Sequence, residues 1–104
     1  MYKHYRRYQR YSVNARALIT RQDESSPEKL TAQVNTISQG GMGFYADVLL
    51  KKTTPVTVEL LIGALGTDIL KGRIASVCSQ GKDYFVGVSF DNEIAFDRFI
   101  EIIG

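Results

Sequence analysis

The stretch LTAQVNTISQGGMGFYADV, residues 30–48, decides the fold, because it reads as two short strands joined by a glycine-rich turn. In the first strand, residues predicted to face the same side recur at every second position, which is the period of a strand with one buried side. The side chains predicted to share that face are Leu30, Ala32, Val34 and Thr36. Residues 40–43 then hold three glycines in four positions, and a second strand is predicted over 43–48.

The glycine-rich turn indicates special backbone geometry. Glycine adopts positive φ angles readily and lets another backbone or a ligand approach the main chain closely. Two interpretations stay open: a tight hairpin with a bulge, or a concavity of backbone N–H groups that binds an anion beside the Ser38 hydroxyl. The turn is not a Walker A phosphate loop, because no Gly-Lys-Ser/Thr sequence follows it.

Outward from this stretch, the same two-residue period predicts four further strands, bounded by polar or glycine-containing turns. They cover residues 13–20, 56–62, 67–77 and 84–90. The apolar spacing then changes to three and four, which predicts an amphipathic helix over 92–103, with Asp91 or Asn92 as its cap. Six short strands followed by one helix indicate an all-β fold, a six-stranded antiparallel β-barrel with a C-terminal α-helix packed on it.

Charge is distributed unevenly along the 104 residues. The net charge of +2 combines six basic and no acidic residues up to Arg21 with seven basic and eleven acidic residues after it. Residues 1–11 read as a basic arm that leads into the barrel, with Arg6, Arg7 and Arg10 within five positions. Such a cluster of guanidinium groups predicts an anionic ligand. Tyrosines recur at every third position of the arm, and they either anchor it to the domain or stack on a base.

Composition excludes several classes of protein. No run of 18 apolar residues is present, so no membrane insertion is expected. Cys78 is the only cysteine, which excludes an internal disulfide and is typical of a cytoplasmic protein. His4 is the only histidine, so a Cys/His zinc site cannot be assembled. Because the carboxylates are dispersed and no nucleophile–base pair is evident, neither an enzymatic activity nor a cofactor is predicted.

Three motifs, taken in their order along the chain, resemble those of PilZ domains, the bacterial receptor modules for cyclic di-GMP. The first, Arg-x-x-x-Arg, is matched by Arg6 and Arg10, with Arg7 at a neighbouring position that is often arginine. The second, Asp/Asn-x-Ser-x-x-Gly, is matched in part over residues 36–41, and the third, Gly-Val-x-Phe, over residues 87–90. The resemblance covers nearly the whole chain and implies the same kind of barrel.

Within the second motif, Ser38 and Gly41 match, whereas Thr36 stands where the family has aspartate or asparagine. The family's acidic or amide group contacts a guanine edge, and a threonine hydroxyl cannot accept two donors there as a carboxylate does. Loss of one charge-assisted contact weakens binding by about 1.5–3 kcal/mol. Asn35 lies one residue earlier and replaces the missing group only if the strand register shifts, because a one-residue slip turns a side chain to the other face.

The resemblance implies that the chain binds cyclic di-GMP between a ligand-binding arm, residues 1–11, and a PilZ barrel domain, residues 12–104. The implied ligand-binding residues are Arg6, Arg7, Arg10, Asn35, Thr36, Ser38, Gly40 and Gly41. Arginine suits this ligand because its guanidinium forks onto phosphate oxygens or onto guanine O6 and N7. Ordering of the arm by the ligand is expected to create a surface for a partner protein in second-messenger signalling.

Two other functions remain as alternatives. A PilZ-like barrel without nucleotide binding acts as a protein–protein adaptor, an interpretation that Thr36 favours and the retained arginines oppose. A barrel with a Tyr/Arg-interleaved arm also resembles a clamp for single-stranded nucleic acid. The acidic charge outside the arm makes nucleic acid a poor fit. Association into a homodimer, for which the C-terminal helix offers a surface, is left open.

Overall fold

The computed structural model describes residues 9–22, 29–61 and 67–104, which form a closed β-barrel followed by one helix. Its elements are β1 (Tyr11–Arg21), β2 (Lys29–Ser38), β3 (Gly41–Ala46), β4 (Pro55–Leu61), β5 (Thr67–Gln80), β6 (Asp83–Phe90) and α1 (Phe96–Ile103). Around the barrel the strand order is β1-β2-β3-β6-β5-β4, every neighbouring pair is antiparallel, and β4 pairs with β1. The predicted barrel with a C-terminal helix is therefore confirmed.

Alternating side chains along the strands build the core. The fully buried ones include Ile19, Phe44, Val58, Ile74 and Val86, each from a different strand. Burial of a side chain of this size is worth about 1.5–3 kcal/mol relative to its exposure. In β1, β4 and β6 the two-residue period of the sequence therefore identified the core face correctly.

The alternation of β2 is interrupted by a β-bulge, and this corrects the predicted orientation of Thr36. Val34 and Thr36 pair with two consecutive residues of β3, so Asn35 is one extra residue in β2. Val34 and Ile37 are buried, whereas Asn35 is exposed and Thr36 is half-buried. Because a bulge shifts the phase of the alternation, Thr36 leaves the core face on which the unbroken period had placed it.

The turn between β2 and β3 is shorter than predicted. The strand β3 begins at Gly41 rather than at residue 43, so only two residues connect the strands. Within the described ranges, positive φ occurs only at Gly81 and Thr53. The glycines at 40–43 therefore do not serve a left-handed conformation. At Gly41 and Gly43, neighbouring atoms closely approach the main chain.

The helix α1 begins later than predicted, because residues 91–95 form an extended connection. The backbone N–H groups of Asp91 and Ile94 each donate to a carbonyl of the barrel at 2.8 Å. Ile94 is also buried, which ties this connection to the core. Neither Asp91 nor Asn92 caps the helix, and Ala95 occupies the N-cap position without a side-chain hydrogen bond. The predicted start of the helix at residue 92 is therefore wrong.

Aromatic packing joins α1 to the first residue of β1. Phe99 is buried, and its ring meets that of Tyr11 edge to face, with centroids 5.6 Å apart. Tyr11 is the last residue of the predicted arm, and in the structure it is the first residue of β1. Phe96 and Ile100 on the same helix are exposed, so only part of the predicted apolar stripe packs against the strands.

A forked ion pair fixes α1 to the start of β5. The Arg98 Nε donates to Asp68 Oδ2 at 2.6 Å, and its Nη2 donates to Asp68 Oδ1 at 2.8 Å. The hydrogen bond to Asp68, followed by that to Glu101, raises the pKa of the Arg98 guanidinium above its ordinary value. A bidentate pair of this kind sets orientation as well as distance.

No helix within the described ranges is long and apolar enough to cross a membrane.

Candidate ligand-binding groove

An open groove of about 320 Å³ lies on the outer surface of the barrel, across β3, β6 and β5. The residues that line it are Arg10, Ser38, Gly40, Gly41, Met42, Gly43, Ala75, Ser76, Phe85, Gly87, Val88 and Ser89. Arg10 immediately precedes β1, and residues 38–41 form the turn between β2 and β3. The end of the basic arm and the glycine-rich turn therefore meet in one place.

Glycines bring neighbouring atoms close to the main chain in this groove. Gly43 of β3 pairs with Gly87 of β6. A Cβ atom at Gly41 would lie 2.3 Å from the Val88 carbonyl oxygen, and one at Gly87 would lie 2.6 Å from Ser76 Oγ. Both distances are far below van der Waals contact, so these positions require glycine or a local shift. The outer face is consequently low and open between the turn and β5.

The turn beside the groove is held by hydrogen bonds from two directions. Ser38 Oγ accepts from the Gly40 N–H at 3.3 Å and donates to the Gly41 carbonyl oxygen at 3.4 Å. The Gly40 carbonyl accepts from the Phe90 N–H at 2.9 Å, and Gln39 Nε2 donates to the connection after β6 at 3.0 Å. The buried Ser38 therefore shapes the turn, and the end of β6 supports it.

The charge of the groove favours an anion. Among the described residues that line it, Arg10 is the only charged one. A second depression, of about 430 Å³, is lined by Arg16 together with Asp47 and Asp83, so carboxylates outnumber the guanidinium there. A third, of about 530 Å³, also includes Arg16 but contains apolar side chains such as Ile102. The smallest of the three depressions is the one that combines both predicted motifs.

The structure brings together half of the predicted site residues. Those that line the groove are Arg10, Ser38, Gly40 and Gly41. The predictions for Arg6 and Arg7 fall outside the described residues. The prediction that arm and turn face one another therefore rests on Arg10.

Thr36 lies at the edge of the groove without lining it. A Cβ atom at Gly43 would be 2.9 Å from Thr36 Oγ1 and 2.5 Å from Phe85 Cζ, so the hydroxyl and the ring both approach this glycine. Asn35 is the extra residue of the bulge, next to Thr36, and is exposed. Asn35 does not line the groove, so its replacement of the family's acidic group stays a prediction.

Sequence reasoning did not assign to the site the residues of β5 and β6 that complete the groove, among them Ser76, Phe85 and Gly87, although Gly87 begins the third motif. Part of the signal was present, since the two-residue period puts Phe85 and Gly87 on the face opposite the buried Val86 and Val88. The strand β6 lies beside β3 although β4 and β5 separate them in sequence. The pattern of a single strand does not reveal that neighbour.

The groups in the groove are suited to binding. They comprise a guanidinium, three serine hydroxyls, backbone amides and one aromatic ring. In the part of the chain that the structure describes, no group of three or more His, Cys, Asp or Glu residues could hold a metal ion. The arrangement offers recognition of an anionic, partly aromatic molecule.

Comparison with protein families identifies the class. A family model described as PilZ domain matches residues 4–102, almost the entire chain. This chain therefore belongs to the PilZ family, and the resemblance inferred from the three motifs is confirmed. No curated protein matches the chain.

Solved structures of PilZ proteins share the fold. The PilZ domain of YcgR from Escherichia coli, solved with c-di-GMP, has a TM-score of 0.77 at 19% identity, covering 94% of this chain and 88% of that one. MotI/DgrA, an inhibitor of motility from Bacillus subtilis, has a TM-score of 0.73 at 12% identity, covering 96% and 49%. The MrkH–c-di-GMP complex from K. pneumonia has a TM-score of 0.69 at 15% identity, covering 96% and 50%. This chain thus spans about half the length of the last two proteins.

Proposed function

We propose that this chain is a receptor that binds cyclic di-GMP in the groove beside the β2–β3 turn. One observation carries the proposal: Arg10 and residues 38–41, which belong to separate sequence motifs, line the same groove. Membership of the PilZ family supports it. The structures of the YcgR domain and of MrkH, which share the fold, contain c-di-GMP.

The chemistry of the groove suits this ligand. Cyclic di-GMP carries two phosphates and two guanines, and an arginine fork binds either group with two parallel hydrogen bonds. Arg10 is exposed and supplies the positive charge of the groove. Arg6 and Arg7 precede it by four and three residues, a reach of roughly 10–14 Å for an extended chain. They are proposed to close on the ligand from the arm.

Ordering of the arm is proposed to be read out through α1. Arg10 lines the groove, and the next residue, Tyr11, contacts Phe99 of the helix. A ligand that draws Arg10 toward the turn therefore acts on the residue that packs against α1. The exposed Phe96 and Ile100 on that helix offer apolar surface for a partner protein.

Isothermal titration with cyclic di-GMP tests the proposal. The wild-type protein is expected to show saturable binding with a dissociation constant below about 100 μM. Arg10→Ala is expected to bind at least about ten-fold more weakly, because a charge-assisted hydrogen bond is lost. Arg10→Lys is expected to fall between the two, since lysine keeps the charge without the fork.

Arg16→Ala is the matched control for the titration. Arg16 is also an exposed arginine, at the middle of β1, but it does not line the groove. Its replacement is expected to leave the affinity unchanged. Absence of binding by the wild-type protein at ~100 μM ligand overturns the proposal, and equal losses from Arg10→Ala and Arg16→Ala place the ligand elsewhere.

A second candidate function is a PilZ adaptor that binds a protein partner without the nucleotide. The observation in its favour is Thr36, a hydroxyl at the edge of the groove where the family has an acidic or amide side chain. An adaptor is expected to co-purify with the same partner proteins when Arg10 is replaced by alanine. A nucleotide receptor is expected to lose the partners that depend on the ligand.

A further inference from the structure

The groove has an aromatic wall that the two sequence motifs do not include. Phe85 lines the groove from the outer face of β6 and is half-buried. Its Cζ atom would lie 2.5 Å from a Cβ atom at Gly43, so the ring occupies the space that the glycine leaves. On another side Tyr45 meets it edge to face, with centroids 4.9 Å apart and ring planes at 60°. The ring is therefore held in place before any ligand binds.

The groups around this ring divide the groove into two chemically different parts. Among the described residues that line the groove, Arg10 is the charged one. The Phe85 part is apolar and is bordered by two hydroxyl groups: Thr36 Oγ1, which approaches Gly43, and Ser76 Oγ, which approaches Gly87. A molecule that joins an anionic group to a flat ring with polar edges matches both parts. At about 320 Å³ the groove is near the lower limit of small-molecule sites, which are roughly 300–1,000 Å³.

We propose that Phe85 is the base-contacting residue of the groove, where it packs against one guanine of a cyclic di-GMP molecule whose adjacent phosphate lies at Arg10. This inference rests on the proposed function and adds a specificity-determining residue to it. Ser76 lines the groove and Thr36 lies at its edge, so their hydroxyls are available to the polar edge of a base that packs against the ring.

A purely structural role of Phe85 makes a different prediction. An aromatic side chain that covers a strand glycine stabilises the sheet. In that case the replacement of Phe85 lowers the melting temperature and leaves ligand affinity unchanged among folded molecules. The two roles are separated by measuring affinity and thermal unfolding on the same variants.

The test combines Phe85→Leu, which keeps an apolar side chain without the ring, with Phe85→Tyr, which keeps the ring. Titration with cyclic di-GMP is expected to show an affinity for Phe85→Leu that is lower by about five- to a hundred-fold, the loss typical of one base–aromatic contact. Phe85→Tyr is expected to stay close to wild type. Tyr84→Leu, on the same strand but packed against the core, is the matched control and is expected to keep its affinity.

A second measurement uses the wild-type protein and does not depend on the folding of any variant. Nuclear Overhauser contacts are expected between the Phe85 ring protons and the guanine H8 proton of bound cyclic di-GMP. If the wild type binds but shows no such contact, or if Phe85→Leu binds as tightly as wild type, the role of Phe85 is wrong and the receptor function stands. If the wild type does not bind cyclic di-GMP, both proposals are overturned.

Discussion

At the scale of single residues, position 36 connects the fold to the proposed ligand site. The bulge at Asn35 turns Thr36 from the core face to the edge of the groove, where its hydroxyl approaches Gly43. The sequence identified Thr36 as the place where the chain departs from its family. It did not predict the bulge, because nothing in a run of alternating apolar residues marks which residue is extra. The orientation of Thr36 therefore came only from the pairing of β2 with β3.

Thr36→Asp is expected to tighten the binding of cyclic di-GMP by about ten-fold or more, because a carboxylate accepts two donors from a guanine edge. Titration of the variant beside wild type measures the change. Thr31→Asp adds the same charge to an exposed position of β2 outside the groove and is expected to change the affinity little. Weaker binding by Thr36→Asp would mean that position 36 does not face the base.

At the scale of elements, the β2–β3 turn and β6 form one unit. The sequence indicated that the glycines of residues 40–43 meant special geometry, and it left open whether φ or close approach was the reason. The answer is close approach, since a Cβ at Gly41 would lie 2.3 Å from the Val88 carbonyl oxygen on β6. That reason required the strand order of the closed barrel, which brings β3 beside β6. Hydrophobic periods locate strands but do not specify such non-consecutive neighbours.

Alanine substitutions at Gly41 and Gly87 are expected to separate a glycine that the fold requires from one that matters mainly for the proposed site. Gly41→Ala puts a methyl group against backbone, so it is expected to destabilise the protein by about 1–3 kcal/mol. That corresponds to a fall in melting temperature of several degrees, roughly 4–8 °C per kcal/mol for a domain of this size. Gly87→Ala meets only the Ser76 hydroxyl, which can rotate, and is expected to cost less stability.

Thermal unfolding of both variants measures the difference. Titration of Gly87→Ala with cyclic di-GMP measures the effect on the site, where the extra methyl group is expected to narrow the groove and weaken binding. Equal melting temperatures for the two variants would show that the Gly41–Val88 approach does not constrain the fold.

At the scale of the whole molecule, the elements of the proposed site and readout lie together at one end of the barrel. Arg10, the β2–β3 turn and α1 all lie where β1 begins, and Tyr11 packs against Phe99 at this end. The sequence predicted the strands, the helix and the basic arm. It could not place the helix against the end of the arm at Tyr11, because the helix was predicted to begin at residue 92. The connection that delays α1 to Phe96 is held by hydrogen bonds to β5 and to the β2–β3 turn.

Tyr11→Leu is expected to uncouple the helix from the groove. In the wild type, cyclic di-GMP is expected to change the amide chemical shifts of α1, because Tyr11, which follows Arg10 and contacts Phe99, is proposed to transmit the movement of Arg10 to the helix. In Tyr11→Leu the edge-to-face contact, worth about 0.5–1.5 kcal/mol, is lost. The variant is expected to bind the ligand while the α1 shifts become much smaller. Ligand-induced shift changes in α1 that are as large in Tyr11→Leu as in the wild type would contradict a readout through Tyr11.

The most direct test of the receptor function is an amide chemical-shift map of the wild-type protein titrated with cyclic di-GMP. The groove predicts the largest changes at Gly40, Gly41, Gly43 and Gly87, whose backbones line it from the β2–β3 turn, β3 and β6. Changes concentrated around Arg16, in the larger depressions, or no changes at saturating ligand would contradict the assignment of this groove as the cyclic di-GMP site.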